Sequence, residues 1–506
     1  MSSVKRNVAA NYVATGWTAV VGLTVLPFYL RYLGIESYGL ISFFVTLQAW
    51  MFLLDLGLTP TFNREVARFT AGGQSLQGLH DLFRSLEVVY AGIALLMALA
   101  LAGSSGWLVT GWLQLQTLSA GSASQALALM GLVVAVQWMG ALYRSAILGL
   151  QHQVWLSVLT AGISTLRAVA TVAVLALLSA TVVAFVITQF AVSLLETLLL
   201  AWRVRDRFPA PPAPPRFSIG ALRGIWRFAS SLALVTVLGT LLMQVDKLIL
   251  AKLLPLDAFG YFSLAVAVAA ALGSLVVPVH NAAYPRLCEL VAAGNERQLA
   301  QEYHRFSQLV ALSVLPATLV LCLFSQEVLL LWTQDAQTAR VAGPILSVWV
   351  LGTALNALMH VPYAAQLAHG WTRLAIVVNV IAVALIVPAM LYWVPRHGAL
   401  AAAWIWLGLN AGYTVFAISA MHRRIIPAEK WKWYLQDNLL PALAAVAVLA
   451  PMALAHRQLG PLTRSGELAF LLAAGVLATL AAAASTSTGH GILRAAAFLV
   501  KRPKFL

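Results

Sequence analysis

The chain has 506 residues, 61% of them hydrophobic and only 10% charged, with a formal net charge of +15. A soluble chain carries roughly 25% charged residues, so a soluble globular enzyme is excluded, and no basic run interleaves with exposed aromatics as a nucleic-acid module requires. Apolar runs of about 20 residues recur instead, each able to cross a ~30 Å hydrocarbon core, which predicts an all-α polytopic membrane protein.

About 14 transmembrane helices are predicted, over residues 11–31, 38–60, 86–108, 123–149, 154–178, 180–202, 228–251, 259–284, 307–331, 341–367, 373–394, 398–421, 438–456 and 467–486. Lys5 and Arg6 precede the first run, but that run continues to Arg31 without a small-residue cleavage site and reads as a retained span. With the N-terminus in the cytoplasm, 24 of the 32 Lys and Arg residues fall in inner segments and six in outer ones. That asymmetry fixes the orientation by the positive-inside rule and puts both termini in the cytoplasm. The basic excess then faces the anionic inner leaflet, so membrane lipids are its partner and nucleic acid is not. Cys288 and Cys322 form no disulfide framework, and the ten histidines form no metal-binding pair. No metal and no cofactor are expected.

Between the sixth and seventh spans lies Pro209–Pro215, PAPPAPP, in a basic segment; proline favours an extended, stiff spacer there. On either side the sequence repeats. LGIESYGLISF from Leu33 returns as LPLDAFGYFSL from Leu254, pairing Glu36 with Asp257, Gly39 with Gly260 and Arg84 with Arg305. A duplicated half-molecule predicts parallel repeats and alternating access by rocking of two lobes. The expected divisions are an N-terminal six-helix lobe (1–203), a cytoplasmic Pro-rich linker (204–227), a C-terminal six-helix lobe (228–422), and two additional helices with a basic tail (423–506).

Polar residues recur at helical spacing inside the spans. Thr160, Ser164, Arg167 and Thr171 share one face; so do Gln189, Ser193 and Glu196, and Thr236, Thr240, Gln244 and Lys247. Gln48 with Asp55, Gln137 with Arg144, and Thr353 with Asn356 and His360 add further stripes. A charge at the depth of Arg167 costs at least ~2.5 kcal/mol unless it meets water or a partner. The stripes therefore read as the lining of a wet cavity, built from Arg144, Arg167, Gln137, Gln189, Gln244, Lys247, Asn356 and His360. Asp55, Glu196 and Asp246 are candidates for ion coupling or buried ion pairs, with Arg167–Glu196 the plainest pair. The bland readings are helix–helix hydrogen bonds for the Ser, Thr and Asn stripes and a local cytoplasmic interaction for Asp55.

LPFYLRYLGIESYGLISF, followed by DLGLTPTFNREVAR, resembles the O-antigen and polysaccharide repeat-unit flippases (Wzx type) of the multidrug/oligosaccharidyl-lipid/polysaccharide (MOP) exporter superfamily. Gly34, Gly39, Gly57 and Arg64 are the fold-motif positions within that match. The resemblance implies two lobes and no catalytic residues. It implies translocation of undecaprenyl-pyrophosphate-linked oligosaccharide across the bacterial inner membrane, with a polysaccharide polymerase and chain-length proteins as partners. Arg144 and Arg167 would take the anionic part, since guanidinium forks suit phosphate oxygens, and Gln137, Gln189, Gln244 and Asn356 the sugar. The alternatives are a cation-coupled multidrug exporter of the same superfamily, or a membrane polymerase or glycosyltransferase acting on lipid-linked sugars. The first expects a buried acid in the first span, which has none. The second expects an acid or base beside an outer sugar site, where the short loops offer chiefly Glu36, Asp257, Glu327 and Asp335.

Overall fold

The computed structural model describes the backbone of residues 3–70, 73, 75–460 and 462–501, and their side chains except those of 3–6, 8, 9, 70, 227–243, 459 and 496–501. Among the described residues the chain is helical, with a single isolated β-bridge. In order, α1 is Ser3–Met51, α2 Leu58–Thr70, α3 Leu76–Trp107, α4 Ala120–Gly149, α5 Gln153–Leu177, α6 Val182–Arg207 and α7 Ile219–Leu253. There follow α8 Leu256–Ala292, α9 Glu296–Leu323, α10 Ser325–Thr333, α11 Ala336–Leu358, α12 His360–Ala368 and α13 Arg373–His397. The chain continues with α14 Ala399–Gly412, α15 Ile418–Arg424, α16 Lys430–Lys432, α17 Leu440–Leu459, α18 Arg464–Ala484 and α19 Ser487–Lys501.

Twelve stretches of the described residues are long and apolar enough to cross a membrane. One of them, Ala10–Asp55, has 46 residues, enough helix for two passes at 1.5 Å per residue. It breaks at Gly34, where φ is 78°. The expected seventh span lies within α7, but the face carrying Thr236 and Thr240 falls outside the described side chains. The second pass is shorter than its hydropathy predicts. After Met51 a tight turn through Phe52–Asp55 leads to Leu56 and Gly57, both left-handed at φ 47° and 75°, and α2 starts in a new direction. Glycine tolerates that conformation and most residues do not. The starts of α3, α4, α6, α7 and α18 are capped by Ser75, Ser119, Thr181, Ser218 and Thr463, each accepting a backbone N–H from the first turn.

The chain forms two compact units, Met1–Gly260 and Tyr261–Leu506. In the first, α4 carries the fully buried Trp138, whose ring lies 5.5 Å from Phe52 and 5.4 Å from Tyr90 of α3. The proline tract is also part of this unit, laid along α3 rather than crossing open space. Ala213 N donates to Gln77 Oε1 (3.0 Å), Arg216 N to Asp81 Oδ1 (2.9 Å) and Ser218 N to Ser85 Oγ (2.8 Å). Gln77, Asp81 and Ser85 are four residues apart and so form one helix face. His80 Nε2 meets the Pro209 carbonyl at 2.8 Å, and Phe208 stacks on Phe83 at 5.6 Å.

In the second unit α9 is the common support. One face joins Tyr303, Val310 and Val314 to Leu358, Val361, Met421 and Trp433. The other, with Phe324 just beyond the helix end, packs Leu312 against Ala445 and Leu449 of α17 and Ala474 and Ala478 of α18, so the two additional helices rest on α9. A buried polar cluster fixes the same region. His304 has a carboxylate at each ring nitrogen, Asp437 at Nδ1 and Glu429 at Nε2 (2.8 Å). Gln308 Nε2 donates to Asp437 at 2.9 Å, and its Oε1 accepts from Ser487 and Thr488 at the start of α19.

Candidate functional site

α5 and α6 are apolar enough to lie in the bilayer, so the charges they carry there need partners. The structure brings Arg144 of α4, Arg167 of α5 and Glu196 of α6 together. Arg144 Nη2 reaches Glu196 Oε1 at 2.5 Å, and Arg167 Nη2 reaches Oε2 at 3.0 Å. The other nitrogens meet neutral acceptors: Arg167 Nη1 donates to Gln189 Oε1 (3.1 Å) and Ser193 Oγ (3.2 Å), and Arg144 Nη1 to Thr160 Oγ1 (3.1 Å). Gln137 donates to Ser193 at 3.0 Å and accepts from Gln48; Gln189 donates to Thr171 at 3.1 Å. Four helices thus share one polar network holding two guanidiniums and a single carboxylate, an excess of one positive charge. The side chains of Arg144 and Arg167 remain 36% and 24% exposed.

The other candidates fall elsewhere. On α7, Lys247 Nζ donates to Gln244 Oε1 at 3.2 Å, and one Asp246 carboxylate oxygen is buried without a partner among the described residues. In the second unit, Asn356 Nδ2 donates to Oδ1 of the buried Asn410 at 3.0 Å, a contact that joins α11 to α14. His360 Nδ1, at the start of α12, sits on carbonyls at the end of α11, 3.2 Å from Asn356 O, and its ring lies 5.9 Å from His280. Asp55 caps α2: it accepts from Thr59 N (3.1 Å) and Thr59 Oγ1 (2.5 Å), and from the Tyr90 hydroxyl (2.5 Å). Arg64 lies on α2. Between α4 and α5, His152 lines an open groove of about 650 Å³ with Asn7, Gln151 and Trp155. Partial burial, reinforced by Arg203 and Arg207, holds this histidine below the usual range.

Two clusters escaped the sequence reading. Glu36, noted only as an outer acid, clasps the loop after α3 by accepting from the N–H groups of Gln116 (2.6 Å), Thr117 (2.7 Å) and Leu118 (2.9 Å). The His304 cluster was signalled only by the His304/Gln308 spacing of four, because its acids lie more than a hundred residues away.

The comparisons with known proteins agree with this architecture. A family model described as polysaccharide biosynthesis protein matches residues 92–336. A putative O-antigen transporter of Shigella flexneri is 20% identical over 404 residues, covering 80% of this chain and 94% of that one. A solved structure of the lipid II flippase MurJ in an inward closed conformation superposes with a TM-score of 0.70 at 13% identity, over 93% of this chain and 97% of that one. The chain shares its fold with solved structures of the MOP superfamily. An inward-facing multidrug resistance MATE family transporter of that superfamily gives a TM-score of 0.62 at 12% identity, over 80% of this chain and 96% of its own. The resemblance carried by LGIESYGLISF and DLGLTPTFNREVAR is borne out, and each of these three proteins is named as a transporter or flippase rather than an enzyme.

Proposed function

We propose that the chain moves undecaprenyl-pyrophosphate-linked oligosaccharide repeat units across the bacterial inner membrane by alternating access, for O-antigen, exopolysaccharide or capsule assembly. The observation that carries this reading is the Arg144–Glu196–Arg167 network. It places two guanidinium forks, with one charge in excess, among amides and hydroxyls within membrane-crossing helices. A pyrophosphate takes charge-assisted bonds from the arginines, and sugar hydroxyls match the glutamine, serine and threonine side chains around them. The duplicated sequence supports a rocking cycle. The Shigella relative's description as an O-antigen transporter fits the same class of cargo. With both termini in the cytoplasm, a polymerase and chain-length proteins would receive the product at the outer face.

The test is the sidedness of lipid-linked sugar in cells lacking the protein, read with a membrane-impermeant label. Single repeat units trapped on the inner leaflet, with no surface polymer, are the expected result. Units accumulating on the outer leaflet would assign polymerisation instead. Unchanged lipid-linked sugar with normal surface polysaccharide would leave small-molecule export.

A further inference from the structure

Resting on the anion-binding role proposed for the arginine pair, we infer that Glu196 is a resident competitor for the cargo's phosphates and sets the charge the cargo must carry. Its two oxygens are divided between the two arginines, Oε1 on Arg144 and Oε2 on Arg167. It bridges them much as a single phosphate would. An incoming anion that is to bridge the two Nη2 groups has to displace a carboxylate.

That requirement is selective. A carboxylate brings one negative charge and two oxygens to the pair. A monoanionic ligand only matches it, whereas a pyrophosphate brings more charge and more acceptor oxygens, and each charged hydrogen bond is roughly twice as strong as a neutral one. The Nη1 groups of the two arginines rest on Gln189, Ser193 and Thr160. These neutral acceptors yield to an anion without leaving a charge stranded. The displaced carboxylate has donors within the same network, in the amides of Gln137 and Gln189. The charged groups facing Glu196 are Arg144 of α4 and Arg167 of α5; Tyr29 of α1 lies beside Arg167 and Thr171. When cargo leaves, Glu196 returns to the pair, so two cations are never unpaired at bilayer depth, where each would be costly.

The experiment uses the full chain in lipid nanodiscs with farnesyl pyrophosphate and farnesyl monophosphate as probes. Wild type, Glu196→Gln and a control, Glu87→Gln, are compared; Glu87 pairs with Arg84 away from the network. Glu196→Gln is expected to bind both probes tighter than wild type, the pyrophosphate at least about tenfold. The control should bind as wild type does. Should Glu196→Gln fail to fold by its thermal unfolding, Glu196→Asp replaces it. Aspartate keeps the charge but is too short to span both forks, so it should also bind tighter than wild type. Equal or weaker binding by a folded Glu196 variant overturns the competitor role and leaves the anion site standing. Absence of binding in wild type and variant alike overturns the anion site itself.

Discussion

Gly39 and Gly260 occupy the same position in the two repeats, and each marks where the other's motif comes closest. A Cβ on Gly39 would lie 2.2 Å from the Leu256 carbonyl oxygen, and one on Gly260 would lie 2.5 Å from that of Ile35. Ile35 and Leu256 are themselves repeat equivalents, so one close approach is used twice.

Gly39→Ala and Gly260→Ala should each destabilise the protein by about 1–3 kcal/mol, the usual range for overpacking. Since both strain one junction, the double variant should lose less than the sum. Thermal unfolding in detergent measures all three. Midpoints unchanged in both single variants would show that the two turns separate freely.

Asp55→Asn should weaken the start of α2 by about 1–2 kcal/mol, because Thr59 and Tyr90 both rely on the carboxylate. Tyr90→Phe should share part of that loss. Cargo binding should persist in both. If Asp55→Asn instead abolished the sodium or proton dependence of transport with no stability change, Asp55 would be a coupling site.

Arg167→Lys should lower repeat-unit transport at least about tenfold, since an ammonium cannot reproduce the planar fork that meets Glu196, Gln189 and Ser193 together. Arg167→Ala should abolish surface polymer in a complementation assay. Full complementation by both variants, at normal protein levels, would remove Arg167 from the cargo site.

The His304 cluster predicts a stability effect. Among the described residues, His304→Ala leaves the fully buried Asp437 side chain with Gln308 as its recorded partner, and breaking a buried pair costs about 3–5 kcal/mol. Asp437→Asn in the same chain should recover part of that loss. A His304→Ala chain as stable as wild type, by thermal unfolding, would show the cluster to be dispensable.

The helices and the arginine network were legible because their signals are local. Arg167 and Glu196 each head a polar face at spacings of three and four, and adjacent helices in sequence are neighbours in space. Asp55 was placed in a local interaction, yet its partner Tyr90 came from a different helix, which spacing does not reveal. His304 was illegible for the same reason. The proline tract carries no helix, as its composition predicts; that Gln77, Asp81 and Ser85 receive it is invisible in the sequence, because the partner of that α3 face supplies backbone donors.

That docked tract bears on how the gene can be divided. The junction of a duplicated protein is the natural place to cut a chain for expression as two fragments. Here residues 208–218 lie on α3 through side chains of the first repeat. A break within the prolines would strip those bonds from one fragment and leave its partner with a loose end. A split placed after Ser218 keeps the strap with the helix that holds it.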